Sequence, residues 1–205
     1  MAESIKQIIT AITGASGAIY GLRFLQLVSN INNIKIHLII SPSAKIVFKE
    51  ELNIFLTDEI TSFSGYNVNI ENIQLHNYTQ INSTIASGSY RVDGMIIIPA
   101  SMGTIAAISS GISTNLIERS AEVTLKEKRK LIVVPRETPF NTIHLENCLR
   151  LSRAGAIILP ACPSFYTKPT SVEQLVDTVV FRVIAHLGLS SHFPDSQNFV
   201  YKQND

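Results

Sequence analysis

The sequence predicts an α/β protein in three layers: a mostly parallel sheet with helices on both faces. Three observations predict it. Short, continuous, β-branched apolar runs alternate with segments of helical periodicity, the pattern of strands buried on both faces. A small-residue turn, Thr13-Gly14-Ala15-Ser16-Gly17, joins the first run to the first helical segment. Small or polar residues follow the runs at Ser16, Ser41, Ser101, Arg136 and Pro160. In a parallel sheet such exits share the carboxyl rim, where ligands bind. The arrangement is Rossmann-like or flavodoxin-like.

The elements follow in order. Residues 5–12 read as a strand and 18–29 as an amphipathic helix. Residues 34–40 are a second strand, and Ser41-Pro42-Ser43 ends it and caps a helix over 44–51. The span 52–83 is polar, rich in Asn and Thr, and gives no clear element. Gly94–Pro99 is a buried strand, followed by a helix over 104–110 that stops at Gly111. A long helix is expected over 115–130, a strand over 131–134, a helix over 142–153, a strand over 156–159 and a last helix over 172–187. The domain reading is one unit over 1–189. The tail 190–205, polar but for Phe193, Phe199 and Tyr201, reads as an arm packing on a neighbouring subunit.

Composition narrows the function. The 205 residues are 45% hydrophobic and 16% charged, so much surface is buried, subunit contacts included. A net charge of +1 gives no footprint for nucleic acid or an anionic membrane. No apolar run reaches membrane-spanning length and no signal-peptide pattern opens the chain, so a cytoplasmic, soluble protein is expected. Cys148 and Cys162 form neither a disulfide framework nor a metal spacing and read as structural. The five histidines, His37 in the second strand among them, form no ligand cluster.

The glycine turn admits two readings. Free amides at a helix start, with the helix dipole behind them, favour an anion such as a phosphate. Small-residue turns also join strands to helices for packing alone. A dinucleotide site would want an acid ending the second strand and a G-x-G-x-x-G spacing. Ser41 stands at that place, and the glycines are spaced otherwise. A mononucleotide is left, with FMN the leading candidate. Ser101-Met102-Gly103-Thr104 offers hydroxyls and amides to such a ligand, or is a helix cap.

Several blocks in order resemble one family. They are Gly14-Ala15-Ser16-Gly17-Ala18-Ile19-Tyr20-Gly21, Ala86-Ser87-Gly88-Ser89 and Pro99-Ala100-Ser101-Met102-Gly103-Thr104. Residues 117–127, Arg136-Glu137-Thr138-Pro139, Pro163-Ser164-Phe165-Tyr166 and Arg182 continue the match. The chain resembles the flavin prenyltransferases (UbiX-like), earlier described as aromatic-acid decarboxylases, over nearly its whole length. The resemblance implies transfer of a dimethylallyl group from dimethylallyl phosphate to reduced FMN, closing a ring between N5 and C6, without a metal. The prenylated FMN serves a separate UbiD-type decarboxylase, in ubiquinone synthesis or aromatic-acid breakdown. It also implies a homododecamer with active sites at subunit interfaces.

The same resemblance assigns roles. Gly14, Ala15, Ser16, Ser41, Ser101, Met102, Gly103, Thr104 and Arg136 would hold FMN. Ser16 and Glu137 would move protons. Tyr166 and Arg182 would take the donor phosphate, with Arg119, Lys126, Ser87 and Glu51 lining the donor pocket. Arginine suits a phosphate because its planar fork binds two oxygens at once. Other readings compete at single positions. Arg182 also reads as a snorkelling surface arginine, Tyr166 as a half-buried aromatic, and Glu137 as a loop cap or ion-pair partner. Glu118, Glu122 and Lys126 read as a solvated, self-paired helix face; Glu51 and Ser87 read as a surface charge and a turn serine. Ala100 stands where relatives often carry Cys, and the tail lacks the Trp of some relatives. Two other functions remain open: a non-catalytic FMN carrier or assembly subunit, and an FMN-dependent decarboxylase.

Overall fold

In the computed structural model, residues 5–57, 63 and 65–193 are described. Six strands form one parallel sheet: β1 Lys6–Ile12, β2 Ile34–Ile40, β3 Ile73–His76, β4 Gly94–Ala100, β5 Leu131–Pro135 and β6 Ile157–Ile158. Their spatial order is β3-β2-β1-β4-β5-β6, and every pairing is parallel. The order reverses between β1 and β4, which makes their carboxyl ends the binding crevice of a doubly wound sheet.

The helices are α1 Ala18–Val28, α2 Pro42–Leu52, α3 Met102–Ser109, α4 Leu116–Lys126, α5 Thr142–Arg153 and α6 Val172–His186. Alternation along the strands sorts the core into two layers. Ile8, Ile12, Ile36, Leu38, Ile96 and Ile98 face α1, α2 and α6, where Phe24, Phe48 and Val180 are fully buried. Ile9, Ile39, Met95, Ile97 and Val133 face α3, α4 and α5. A strand buried on both faces needs apolar residues at every position, which is why the runs are continuous.

Two differences from the sequence reading have physical causes. The span without a clear element holds β3, an edge strand of four residues with a partly exposed, mixed pattern. Helix α4 ends at Lys126 instead of running on to residue 130. Lys128 adopts left-handed φ of 53°, the Lys128 amide donates to Leu125 O and the Arg129 amide to Thr124 O. This is a Schellman ending built on lysine in place of the usual glycine. At the C-terminus, Ser190–His192 make a short 3-10 turn and Phe193 lies edge-on to Phe181 at 5.8 Å, so the first residues of the expected arm pack on their own chain. The rest of that tail, Phe199 and Tyr201 included, lies outside the described residues.

Candidate functional site

The carboxyl rim is stitched together by Thr13, a residue of the turn to which the sequence reading gives no role of its own. The Thr13 amide and hydroxyl both donate to Pro99 O (3.2 and 2.9 Å), and Thr13 Oγ1 accepts from the Ser101 amide at 2.7 Å. The exits of β1 and β4 are thereby locked across the switch point. Gly14 packs so tightly against α2 that a Cβ there would collide with Ser43 Cβ. Gly17 has φ of 100°, and a Cβ on it would stand 3.0 Å from the Tyr20 ring and 3.8 Å from Arg136 Cγ. Arg136, leaving β5, therefore lies across the glycine turn that leaves β1.

Around that crossing the structure gathers Gly14, Ala15 and exposed Ser16 on the turn, Ser41 at the start of α2, and Ser101, Met102, Gly103 and Thr104 at the start of α3. Ser41 Oγ accepts from the Ala44 amide at 3.1 Å, and Ser101 Oγ accepts from the Thr104 amide at 3.4 Å. The two hydroxyls are helix caps on the same rim, as the capping reading of Ser41 and Ser101 expects. Ser101 Oγ and Thr104 Oγ1 stand 3.0 Å apart, and a Cβ on Gly103 would meet open space. A cradle of small residues, exposed amides and one arginine fits the phosphate-bearing tail and flat ring of a flavin. Burial holds the Tyr20 phenol above its ordinary range, with Cys162 raising it further and Arg136 pulling it back.

One expectation is corrected. The amides that open α1 are not free for a phosphate. Glu51, from α2, takes the Gly17 amide on both carboxylate oxygens (3.0 and 2.9 Å) and the Ala18 amide at 2.8 Å. An internal carboxylate fills the anion position of that helix.

Glu137 is exposed on the same rim beside Arg136, its Oε1 accepting from the Thr138 amide at 2.9 Å. Tyr166 is exposed in the loop after β6. That loop is pinned by the Ser164 amide donating to Thr178 Oγ1 at 3.0 Å. Arg182 is exposed one helical turn beyond Thr178 on α6.

Ser87 and Lys126 lie elsewhere. A Cβ on Gly88 would collide with Glu127 Oε1 and stand 3.1 Å from Lys126 Nζ, so the Ser87–Ser89 loop rests on the end of α4. That end leads into β5, and Lys130 O accepts from the Met95 amide at the start of β4. Ser87 and Lys126 are therefore at the amino rim. Strands of seven residues such as β1 put roughly 20 Å between the rims. Arg119, near the start of α4, pairs with Glu122 at 2.8 Å. The expected self-paired face of α4 is rearranged: buried Glu118 accepts from the Thr114 amide and hydroxyl, and Lys126 pairs with Glu127 at 2.7 Å instead of with Glu122. The Ser113 hydroxyl first, then Arg119, hold Glu122 below its ordinary range.

A cavity of about 460 Å³ opens at the ends of β2 and β3, with Ile40, Pro42, Lys45, His76 and Tyr78 in its wall. It adjoins Ser41 on the side away from β1. Among the described residues no group of three or more His, Cys, Asp or Glu side chains comes together, and no helix is long and apolar enough to cross a membrane.

Comparison with known proteins accords with this geometry. The family model described as Flavoprotein matches residues 1–184. The flavin prenyltransferase UbiX of Alkalihalophilus pseudofirmus is 46% identical over 194 residues, covering 92% of this chain and 95% of that protein. The crystal structure of AnUbiX (PadA1) in complex with FMN and dimethylallyl pyrophosphate superposes with a TM-score of 0.84 at 38% identity, over 98% of each chain. A dodecameric FMN-dependent UbiX-like decarboxylase from Escherichia coli O157:H7 gives 0.81 at 41% identity, over 89% of this chain and 94% of that one. Thr13, the small-residue turn and Arg136 thus build the rim of a chain that belongs to the Flavoprotein family, among the flavin prenyltransferases.

Proposed function

We propose that the protein transfers a dimethylallyl group from dimethylallyl phosphate to reduced FMN, bound on the carboxyl rim. The observation that carries this reading is Arg136 lying across the Gly17 turn, between two serine-capped helix starts. When bound there, reduced FMN supplies the nucleophilic N5 and C6 to which the prenyl carbons are joined.

The side chains divide the remaining work. Gly14, Ala15, Ser41 and the Ser101–Thr104 turn orient the flavin, and Arg136 balances its charge. Tyr166 and Arg182 hold the donor phosphate. Breaking the allylic C–O bond puts negative charge on the departing phosphate, which their hydrogen bonds stabilise. Glu137 and Ser16 stand on the rim where the N5 proton can pass to the leaving phosphate, and where ring closure would release the C6 proton and add one to the middle carbon of the prenyl double bond.

Ser87 and Lys126 can serve that donor only from a second copy of the chain, because their own subunit holds them at the opposite rim. Arg119, outward on α4, joins them from the same side. The reading therefore includes a homo-oligomer with composite sites, a dodecamer like the Escherichia coli relative. Exposed apolar side chains on α5 (Ile143, Leu145, Leu149) and at Phe165 support burial between copies. The prenylated FMN passes to a UbiD-type decarboxylase, and the protein works in the cytoplasm.

Anaerobic incubation with reduced FMN and dimethylallyl phosphate, followed by mass spectrometry of the flavin, tests the proposal. A flavin heavier by one five-carbon unit, absent without protein, is the expected result. Bound but unmodified FMN would turn the reading to a carrier.

A further inference from the structure

Arg129 has no part in the flavin rim, yet it is the most fully committed cation of the amino rim. Its guanidinium donates from Nη1 to Tyr90 O at 2.8 Å and from Nη2 to Gly88 O at 2.6 Å. The two carbonyls bracket Ser89, so one planar fork fixes the loop that carries Ser87. The Schellman ending of α4 sets this up. Left-handed Lys128 turns the chain, and the Arg129 amide donates back to Thr124 O at 2.9 Å. The side chain then leaves the helix end directly beneath the loop.

The clamp has a consequence for Lys126. The Gly88 backbone is held so near the Lys126–Glu127 pair that a single added Cβ would overlap the carboxylate. Glu127 is in turn held below its ordinary carboxylate range, by Lys126 first and with Arg129 contributing. Ser87 Oγ bonds Ser89 Oγ at 2.9 Å on the exposed side of the same loop. A hydroxyl and an ammonium are thereby presented together to solvent. Arg129 itself is spent on two carbonyls and half-buried, so it does not offer its charge to a ligand.

We infer that Arg129 is a positioning residue: by clamping the Gly88 and Tyr90 carbonyls it holds Ser87 and Lys126 in register as a half-site for the phosphate of the prenyl donor. The inference rests on the composite-site reading above. Lysine at 129 reaches one carbonyl as a point donor, where arginine spans two.

The test uses the full-length, FMN-loaded oligomer as wild type, Arg129→Ala, Arg129→Lys, Lys126→Ala and the double variant R129A/K126A. Arg129→Ala is expected to raise KM for dimethylallyl phosphate about tenfold and to weaken competitive inhibition by inorganic phosphate by the same factor. Its kcat should fall less than threefold and its FMN affinity should be unchanged. Arg129→Lys should recover part of the KM. Because Arg129 acts through Ser87 and Lys126 together, the double variant should lose less than the sum of the two single losses. An unchanged KM in Arg129→Ala, or additive losses in the double variant, would overturn the inference. So would loss of FMN in step with activity, which marks a purely structural role. Hydrogen–deuterium exchange of the 87–90 amides reads the clamp without turnover: it should accelerate in Arg129→Ala, and unchanged exchange also overturns the inference. A wild-type protein that transfers no prenyl group would instead sink the functional reading, and a Lys126→Ala variant with wild-type KM would sink the composite site.

Discussion

The Glu51 carboxylate grips the Gly17 amide with both oxygens, across 34 residues of sequence, at the point where a nucleotide fold ordinarily receives a phosphate. The contact joins α2 to the start of α1 and fixes the turn that Arg136 lies across. Glu51 was expected in the donor pocket. It can line that pocket only while also capping α1, and the cap gives it a measurable structural role. Glu51→Ala should destabilise the protein by about 1 kcal/mol, as cap removals do, which is roughly 2–4 °C in Tm for a domain of this size. Glu51→Gln keeps one acceptor and should lose less. Thermal unfolding of both variants checks this; an Ala variant as stable as wild type would show that the contact carries no weight.

Gly17 cannot be replaced quietly. Its φ of 100° is left-handed and the Tyr20 ring stands 3.0 Å from the missing Cβ. Gly17→Ala should cost about 1–3 kcal/mol from backbone strain. The displaced turn should also push Arg136 off its place and weaken FMN retention. Flavin absorbance per chain after gel filtration reads the second effect. A variant that is destabilised yet fully loaded with FMN would separate the turn from the flavin site.

The sheet carries a pH-dependent cluster away from that site. His37 on β2 is almost fully buried, with Nδ1 2.9 Å from His76 Nε2 and Nε2 2.9 Å from Gln7 Oε1. Gln7 Oε1 can only accept, so His37 donates from Nε2 and accepts at Nδ1. His76 donates to it and accepts from Ser83 at 3.1 Å, while the Tyr90 hydroxyl donates to Gln7 Oε1 at 2.6 Å. Burial first, then His76 and Lys35, push His37 down to about 4; burial and Lys35 lower His76 too. The folded values lie below the unfolded value near 6.5, so the unfolded chain binds more protons as the pH falls. Stability is full above about pH 6.5 and is lost progressively down to about pH 4, by on the order of 3 kcal/mol. Urea unfolding between pH 7.5 and 4 should show that slope, and His37→Gln should flatten it. An equal slope in the variant would place the acid sensitivity elsewhere.

Much of this was legible in the sequence, and the exceptions share a cause. Continuous apolar runs announced five of the six strands, because burial on both faces leaves no ambiguity of pattern. Strand β3 was hidden because an edge strand is half solvated and needs no such run. Helix α4 was drawn too long because a left-handed Lys128 carries no glycine signal. At the rim, residue types named the small-residue turn, Ser101 and Arg136 through local spacing. They could not show that Glu51 reaches back to Gly17, that Thr13 bridges to Pro99, or that Ser87 and Lys126 face the opposite rim. Each of those facts depends on which strands are neighbours.

The division of labour on α6 predicts a variant that binds flavin and fails at transfer. Arg182 lies one turn past the Thr178 hydroxyl that anchors the Tyr166 loop, on a different element from the Gly14–Ser16 turn and the α3 start. Arg182→Ala should therefore retain FMN at wild-type stoichiometry and lose roughly 10- to 100-fold in kcat/KM for the donor, the worth of one or two charge-assisted hydrogen bonds. Loss of flavin with the arginine would merge two sites that the reading keeps apart.

The chemistry of the donor groups sets the last expectation. Arg182, Tyr166, Arg119, Lys126 and Ser87 are cations and hydroxyls, suited to hold phosphate oxygens directly and not through a carboxylate-bound metal. On the proposed reading they hold one phosphate group, approached from two subunits. Dimethylallyl phosphate should then be turned over with kcat/KM well above that of dimethylallyl pyrophosphate, which binds in the AnUbiX complex, and EDTA should leave the rate unchanged. Initial rates with each donor, with and without chelator, decide this. A faster reaction with the pyrophosphate, or one abolished by EDTA, would mean that a metal and a second phosphate complete the site, and that Arg119 and Lys126 serve the distal group.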